Sequence, residues 1–197
     1  MKKIEQGKTY NRKTFSKVNV SQQTITGSEF EECTFVSCNF SEAMLEQCKF
    51  VDCTFKKCNM RLVKLSDVSI IDTVFQDCIL QGIDFTGVTG ITRSMDFTGC
   101  KLSYALFSEI DMSGKKFTDC DLKDASFIEV DLQGADFSKS TLKGTRFEQC
   151  DMRKANFVGA KSYFINTDIN KIAKARFSMP EATTLLKNFG IELVPHS

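Results

Sequence analysis

The chain has 197 residues, 42% of them hydrophobic and 26% charged, with 26 Lys and Arg against 25 Asp and Glu. Such a chain can bury one sizeable core, and a net charge of +1 gives no overall electrostatic reason to bind nucleic acid or an anionic membrane. No run of 18 apolar residues occurs, the start MKKIEQGKTY has no apolar stretch behind its basic residues, and an odd count of nine cysteines suits reduced thiols better than a disulfide framework; a cytoplasmic protein is expected.

Residues 1–12 read as a lead-in. From residue 13 onward a large apolar residue stands at every fifth position: Phe15, Val20, Ile25, Phe30, Phe35, Phe40, Leu45, Phe50, Phe55, Met60, Leu65, Ile70, Phe75, Leu80 and Phe85. After a slip of two residues the series resumes at Phe97 and runs through Leu102, Phe107, Met112, Phe117, Leu122, Phe127, Leu132, Phe137, Leu142, Phe147 and Met152 to Phe157. Neither a helix nor a strand has this period, so the chain must turn once per repeat. Eight of the eleven glycines fall two residues after the large apolar position, where a turn with positive φ would want them. All nine cysteines fall two residues before it, a slot that Ala, Ser, Thr and Val also fill, so packing explains them better than metal binding.

The stretch ADFSKSTLKGTRFEQCDMRKANF resembles the pentapeptide-repeat proteins, and the pattern holds over residues 13–161. The resemblance implies an all-β solenoid, a right-handed quadrilateral β-helix with four repeats per coil and about seven coils. Residues twenty apart then stack, and one column reads Phe15, Phe35, Phe55, Phe75, Phe97, Phe117, Phe137, Phe157. Its continuity across the slip makes residues 86–94 a small outward bulge, presenting Val88, Thr89, Gly90, Ile91, Thr92 and Arg93.

The segment 162–197 is expected to cap the last coil. Ser178-Met179-Pro180-Glu181 has capping-box spacing, and an amphipathic α-helix is predicted over 179–189, ending at Gly190. This end is similar to that of the quinolone-resistance (Qnr) and microcin B17 immunity types within the family, in which the C-terminal region joins two protomers. Leu185, Leu186, Phe189, Ile191 and Leu193 are therefore candidates for a homodimer contact, with a simple lid as the alternative.

Chemistry is harder to find. His196 is the sole histidine, no C-x2-C pair exists, and neither phosphate-loop glycine pattern is present, so no catalytic residue, metal or cofactor is assigned and an enzyme is not expected. The register does sort the charges. The faces centred on the Ile25 and Phe30 columns carry Glu29, Glu31, Glu32, Glu46, Asp52, Asp67, Asp72, Asp84, Glu109, Asp111, Glu129, Asp131, Glu148 and Asp151 against six bases, a net −8. The faces of the Phe15 and Val20 columns sum to +5. Turn hydrogen bonding would account for some of the aspartates, but Asp96, Asp121 and Asp136 fill the same slot on the basic faces, so the repeat alone does not create the asymmetry. In the resembled proteins an acidic rod mimics duplex DNA and binds type II topoisomerases. Two functions stay open: a rod that engages gyrase or topoisomerase IV through its acidic faces, and a scaffold that binds an unrelated protein.

Overall fold

The computed structural model describes residues 4–89 and 94–191. The repeat turns where expected, two residues after each central apolar residue, and it does so mostly without glycine. Twenty-three non-glycine residues there and at equivalent corners adopt positive φ, from 46° at Asp72 to 63° at Lys174. Left-handed backbone costs a side-chain-bearing residue roughly 1–2 kcal/mol. Bonds between coils offset it: the N–H of Glu32 reaches the carbonyl of Val51 at 2.9 Å, and Asp52 reaches Ile71 at 3.1 Å.

Four turns close one coil, and each coil pairs with the next in parallel. The partners lie twenty residues apart, as in Phe15 with Phe35 and Phe55 with Phe75. The register becomes twenty-two where Thr73 meets Met95 and Phe75 meets Phe97, then returns to twenty. The result is a right-handed quadrilateral β-solenoid of about eight turns. We number its faces by their central columns: one from Phe15, two from Val20, three from Ile25 and four from Phe30.

The interior is a set of stacked ladders. On face one the rings lie 4.5–5.3 Å apart from Phe15 through Phe157, and Phe177 continues the stack at 5.1 Å. Phe97 is fully buried between Phe75 and Phe117, with Phe85 and Phe107 edge-on at 5.8 and 6.0 Å.

The solenoid is longer at both ends than the periodicity indicates. Thr9–Asn11 pairs with Glu29–Glu31, and Tyr10 stacks on Phe30 at 5.2 Å, so the lead-in already belongs to the first coil. At the other end Asn156–Phe157 pairs with Arg176–Phe177. Ser162 and Thr167 stand at central positions of this last coil and hide it from an apolar count, while buried Tyr163 and Ile165 supply the missing volume.

The cap differs from the expected α-helix. Glu181–Phe189 is a 3₁₀ helix. The Ser178 hydroxyl accepts the N–H of Gly159 at 3.0 Å, tying the segment to the last coil instead of capping the helix. Thr183 and Thr184 donate their hydroxyls to carbonyls three residues back, at 2.8 and 2.9 Å, which suits the tighter winding.

Candidate binding faces

All fourteen carboxylates of faces three and four are exposed or half-buried, but they divide into two kinds. Asp84, Asp111, Asp131 and Asp151 each precede a central residue and accept the N–H two residues on, from Thr86 at 2.8 Å, Ser113 at 2.8 Å, Gln133 at 2.9 Å and Arg153 at 3.2 Å. Asp121 and Asp136 do the same on the basic faces, so these aspartates belong to the turn chemistry of the repeat. Hydrogen bonds from the Ser113 hydroxyl and N–H hold the Asp111 carboxyl below the usual range, and the Arg153 guanidinium does so for Asp151.

The second kind has less to do locally. Glu32 accepts two bonds from Arg12, both at 2.9 Å, and these keep its carboxyl low. Glu31 takes the Asn11 amide at 2.7 Å, Glu46 the Thr26 hydroxyl at 3.2 Å and Asp67 the Thr89 hydroxyl at 2.8 Å. Glu29, Asp52, Asp72, Glu109, Glu129 and Glu148 join no ion pair among the described residues. Like charges also stack: Asp111, Asp131 and Asp151 bridge directly from coil to coil.

The bulge is smaller than expected. Val88 and Thr89 pair in register with Val68 and Ser69, and Val88 is buried, so both belong to the coil. The two extra residues enter between Thr89 and Ser94. Gly90, Ile91, Thr92 and Arg93 lie outside the described residues. Gly87 is also a correction: it lacks positive φ, and a Cβ there would collide with the Leu65 carbonyl oxygen, so close backbone approach is what requires glycine.

At the C-terminal end Leu185 packs against the core, whereas Leu186, Phe189 and Ile191 are exposed; Leu193 lies outside the described residues. Phe164, Ile169 and Met179, the last 73% exposed, add to this apolar surface. Sequence reasoning placed Met179 on the predicted helix face but passed over Phe164 and Ile169, which fall outside both the repeat and that helix.

The cysteines are all buried and free. Most donate S–H to the carbonyl one coil below, as Cys48 does to Ile25 at 3.3 Å and Cys150 to Phe127 at 3.3 Å. Thr145 and Asn170 make the same bond from the same slot, both at 2.8 Å. Burial pushes the Cys53 thiol up to about 12 and Cys150 to about 11. No group of three His, Cys, Asp or Glu positioned to hold a metal occurs among the described residues.

A groove of about 700 Å³, floored by Leu62, Val63 and Leu65, also escaped the sequence reading. The clue was Leu62, a large apolar residue at a corner slot that elsewhere is mostly polar or glycine.

Four parallel-paired faces around a packed interior, with function left to the outer side chains, define a β-solenoid built to present surfaces. The chain belongs to the pentapeptide-repeat family, matching the pentapeptide repeat region over residues 28–107 and 100–177. Comparison with curated proteins finds no match. Among solved structures, a trypsin-treated form of QnrB1, a plasmid-mediated fluoroquinolone resistance protein, is similar with a TM-score of 0.53 at 19% identity, covering 94% of this chain and 100% of that one. A second QnrB1 structure matches at 24% identity and TM-score 0.47, covering 98% and 96%. HetL, a pentapeptide repeat protein involved in heterocyst differentiation regulation from the cyanobacterium Nostoc sp. strain PCC 7120, matches at 14% and 0.41, covering 87% and 91%. At these identities the likeness is one of fold.

Proposed function

We propose that this chain is a non-enzymatic binding protein that lays its acidic third and fourth faces into the DNA-accepting groove of a type II topoisomerase, DNA gyrase or topoisomerase IV, and protects that enzyme from an inhibitor. The observation that carries the reading is the one-sided charge: −8 on two adjacent faces over residues 13–161, and still −6 once the end coils add Lys8, Arg12, Lys171 and Lys174 against Glu5 and Asp168, in a chain whose total is +1. Eight turns at about 4.8 Å make a rod about 38 Å long, over which duplex DNA carries about 22 charges. The rod is thus a partial mimic, able to enter a basic groove and to leave it. Attraction of this kind steers association and weakens with salt. The fold shared with QnrB1, itself described as a fluoroquinolone resistance protein, supports the same reading. The exposed Met179, Leu186, Phe189 and Ile191 support a homodimer joined at the C-terminal end.

The test is supercoiling by purified gyrase with and without a fluoroquinolone. The chain is expected to restore activity. Glu109→Lys, Glu129→Lys and Glu148→Lys together should abolish the rescue without unfolding the rod, because none of the three holds a turn through its carboxylate. No binding and no rescue would overturn the proposal. Capture of some other protein that tolerates this charge reversal would favour the scaffold.

A further inference from the structure

A surface built from repeats looks much the same one coil further on. Glu32, Asp52 and Asp72 follow one another along one corner, and Asp111, Asp131 and Asp151 along face four. A basic groove held by such charges alone can slip along the rod by one coil, about 4.8 Å, as proteins held by phosphate charge slide on DNA. A fixed register needs a place where the repeat is broken.

Face three breaks it. Thr24–Thr26, Met44–Glu46 and Lys64–Ser66 form one three-stranded sheet, and Leu106–Ser108, Ser126–Ile128 and Arg146–Glu148 form another. Between them Phe85–Gly87 winds into a 3₁₀ turn instead of a strand. The turn closes on the coil below, with Gly87 directly against the Leu65 carbonyl, so the opening beside it lies between side chains. This is the 700 Å³ groove, with Leu62 and half-buried Leu65 on its floor and exposed Glu42 and Asp84 in its lining. The corner between faces two and three is irregular at the same height. Its column runs Glu42, Leu62, Gly82, Tyr104, Asp124. Leu62 is 41% exposed and lies over Gly82, where a Cβ would meet its Cδ2 at 2.7 Å; Tyr104, 55% exposed, follows one coil on. No other large apolar residue before Val158 is exposed among those described.

We propose that Leu62 and Tyr104, with the groove beside them, are the anchor that fixes the rod's register in its partner. They receive an apolar side chain from the wall of the topoisomerase groove, flanked there by a Lys or Arg that meets Glu42 or Asp84. An exposed Tyr beside an aliphatic side chain and a groove has the composition of an interface hot spot, whereas the carboxylates along the rod supply attraction without position. Neither Glu42 nor Asp84 joins an ion pair among the described residues, so both can take a base from the partner, with Lys64 as the basic residue among the groove's lining. The inference rests on the topoisomerase reading, and it adds a position to a surface otherwise defined by charge.

The experiment measures association and dissociation rates of the full chain with purified gyrase over a range of salt. Leu62→Gln and Tyr104→Ser, made singly and together, change no charge and sit at exposed positions, so the rod should melt nearly as the parent does. Together they should raise the dissociation rate about tenfold or more while the association rate and its salt dependence stay within about twofold. Glu109→Lys, Glu129→Lys and Glu148→Lys should do the opposite, slowing association and flattening its salt dependence. Leu62→Met with Tyr104→Phe should keep the parent's rates. Binding that responds to charge reversal but ignores Leu62→Gln and Tyr104→Ser, or a loss carried by the association rate, would overturn the anchor and leave the topoisomerase reading standing. No binding of gyrase by the parent chain would overturn both.

Discussion

The coils before residue 90 and those after 93 solve one packing problem in two ways. Both share the Phe column of face one. In the earlier coils the second aromatic sits on face four, where Tyr10, Phe30 and Phe50 stack at 5.2 and 5.0 Å and meet the shared column edge-on. In the later coils it sits on face three, where Phe107, Phe127 and Phe147 continue a stack begun at Phe85, with spacings of 4.6–5.2 Å. The coil between, with Met60, Leu65 and Ile70 around Phe55, lines a small internal void of about 10 Å³ with its neighbours. What each coil needs is enough aromatic volume against face one, from either side. The handover coincides with the broken sheet, the 3₁₀ turn and the two-residue insertion.

The comparison can be broken most severely at the shared column. Phe97→Ala removes a ring stacked between Phe75 and Phe117 and met edge-on by Phe85 and Phe107, and should cost roughly 3–5 kcal/mol, read from denaturant midpoints. Gly87→Ala comes next: its Cβ meets backbone, so the turn must move, at a cost of about 2 kcal/mol or more. Gly114→Ala, with φ 67° and open space around its Cβ, should cost only about 1–2 kcal/mol; the reverse order would show that corner conformation outweighs the close approach at the handover.

In the later coils Asp131→Ala deletes a turn bond worth about 1 kcal/mol, whereas Glu129→Ala should stay within about 0.5 kcal/mol in the same thermal or chemical melts. Acid sharpens this further. The Asp111 and Asp151 carboxyls are held low in the folded chain, so their contribution is fully present above the unfolded value of about 3.9 and disappears as pH falls through the lower folded values. Melts between pH 5 and 2 should show a shallower loss for Asp111→Asn than for the parent chain. A small effect is also expected at the cysteines, which are denser in the earlier coils. Cys78→Ser keeps a donor for the Phe55 carbonyl, so stability should change by less than about 0.5 kcal/mol; no native cysteine should react with a thiol reagent until the rod unfolds.

The fold was readable because a five-residue period admits few conformations, and the all-Phe column recurring about every twenty residues fixes the coil length. The ends were not: Ser162 and Thr167 interrupt the apolar count, yet backbone pairing between coils continues across them. The charge asymmetry was readable too, but only the geometry separates Asp84, Asp111, Asp131 and Asp151, which hold turns, from Glu109 and Glu129, which do not. The groove was hidden because it arises from a strand that fails to form.

The twenty-residue register also governs how such a chain reaches its native state. Nearly every tertiary contact joins residues about one coil apart, which puts the relative contact order near 0.1, a value typical of helical bundles and below that of β-sandwiches. Lengthening the rod by further coils would leave that separation unchanged. A structure that is almost all parallel β-sheet can therefore assemble from any coil outward, by local steps, without the long loop closures that slow most β-proteins.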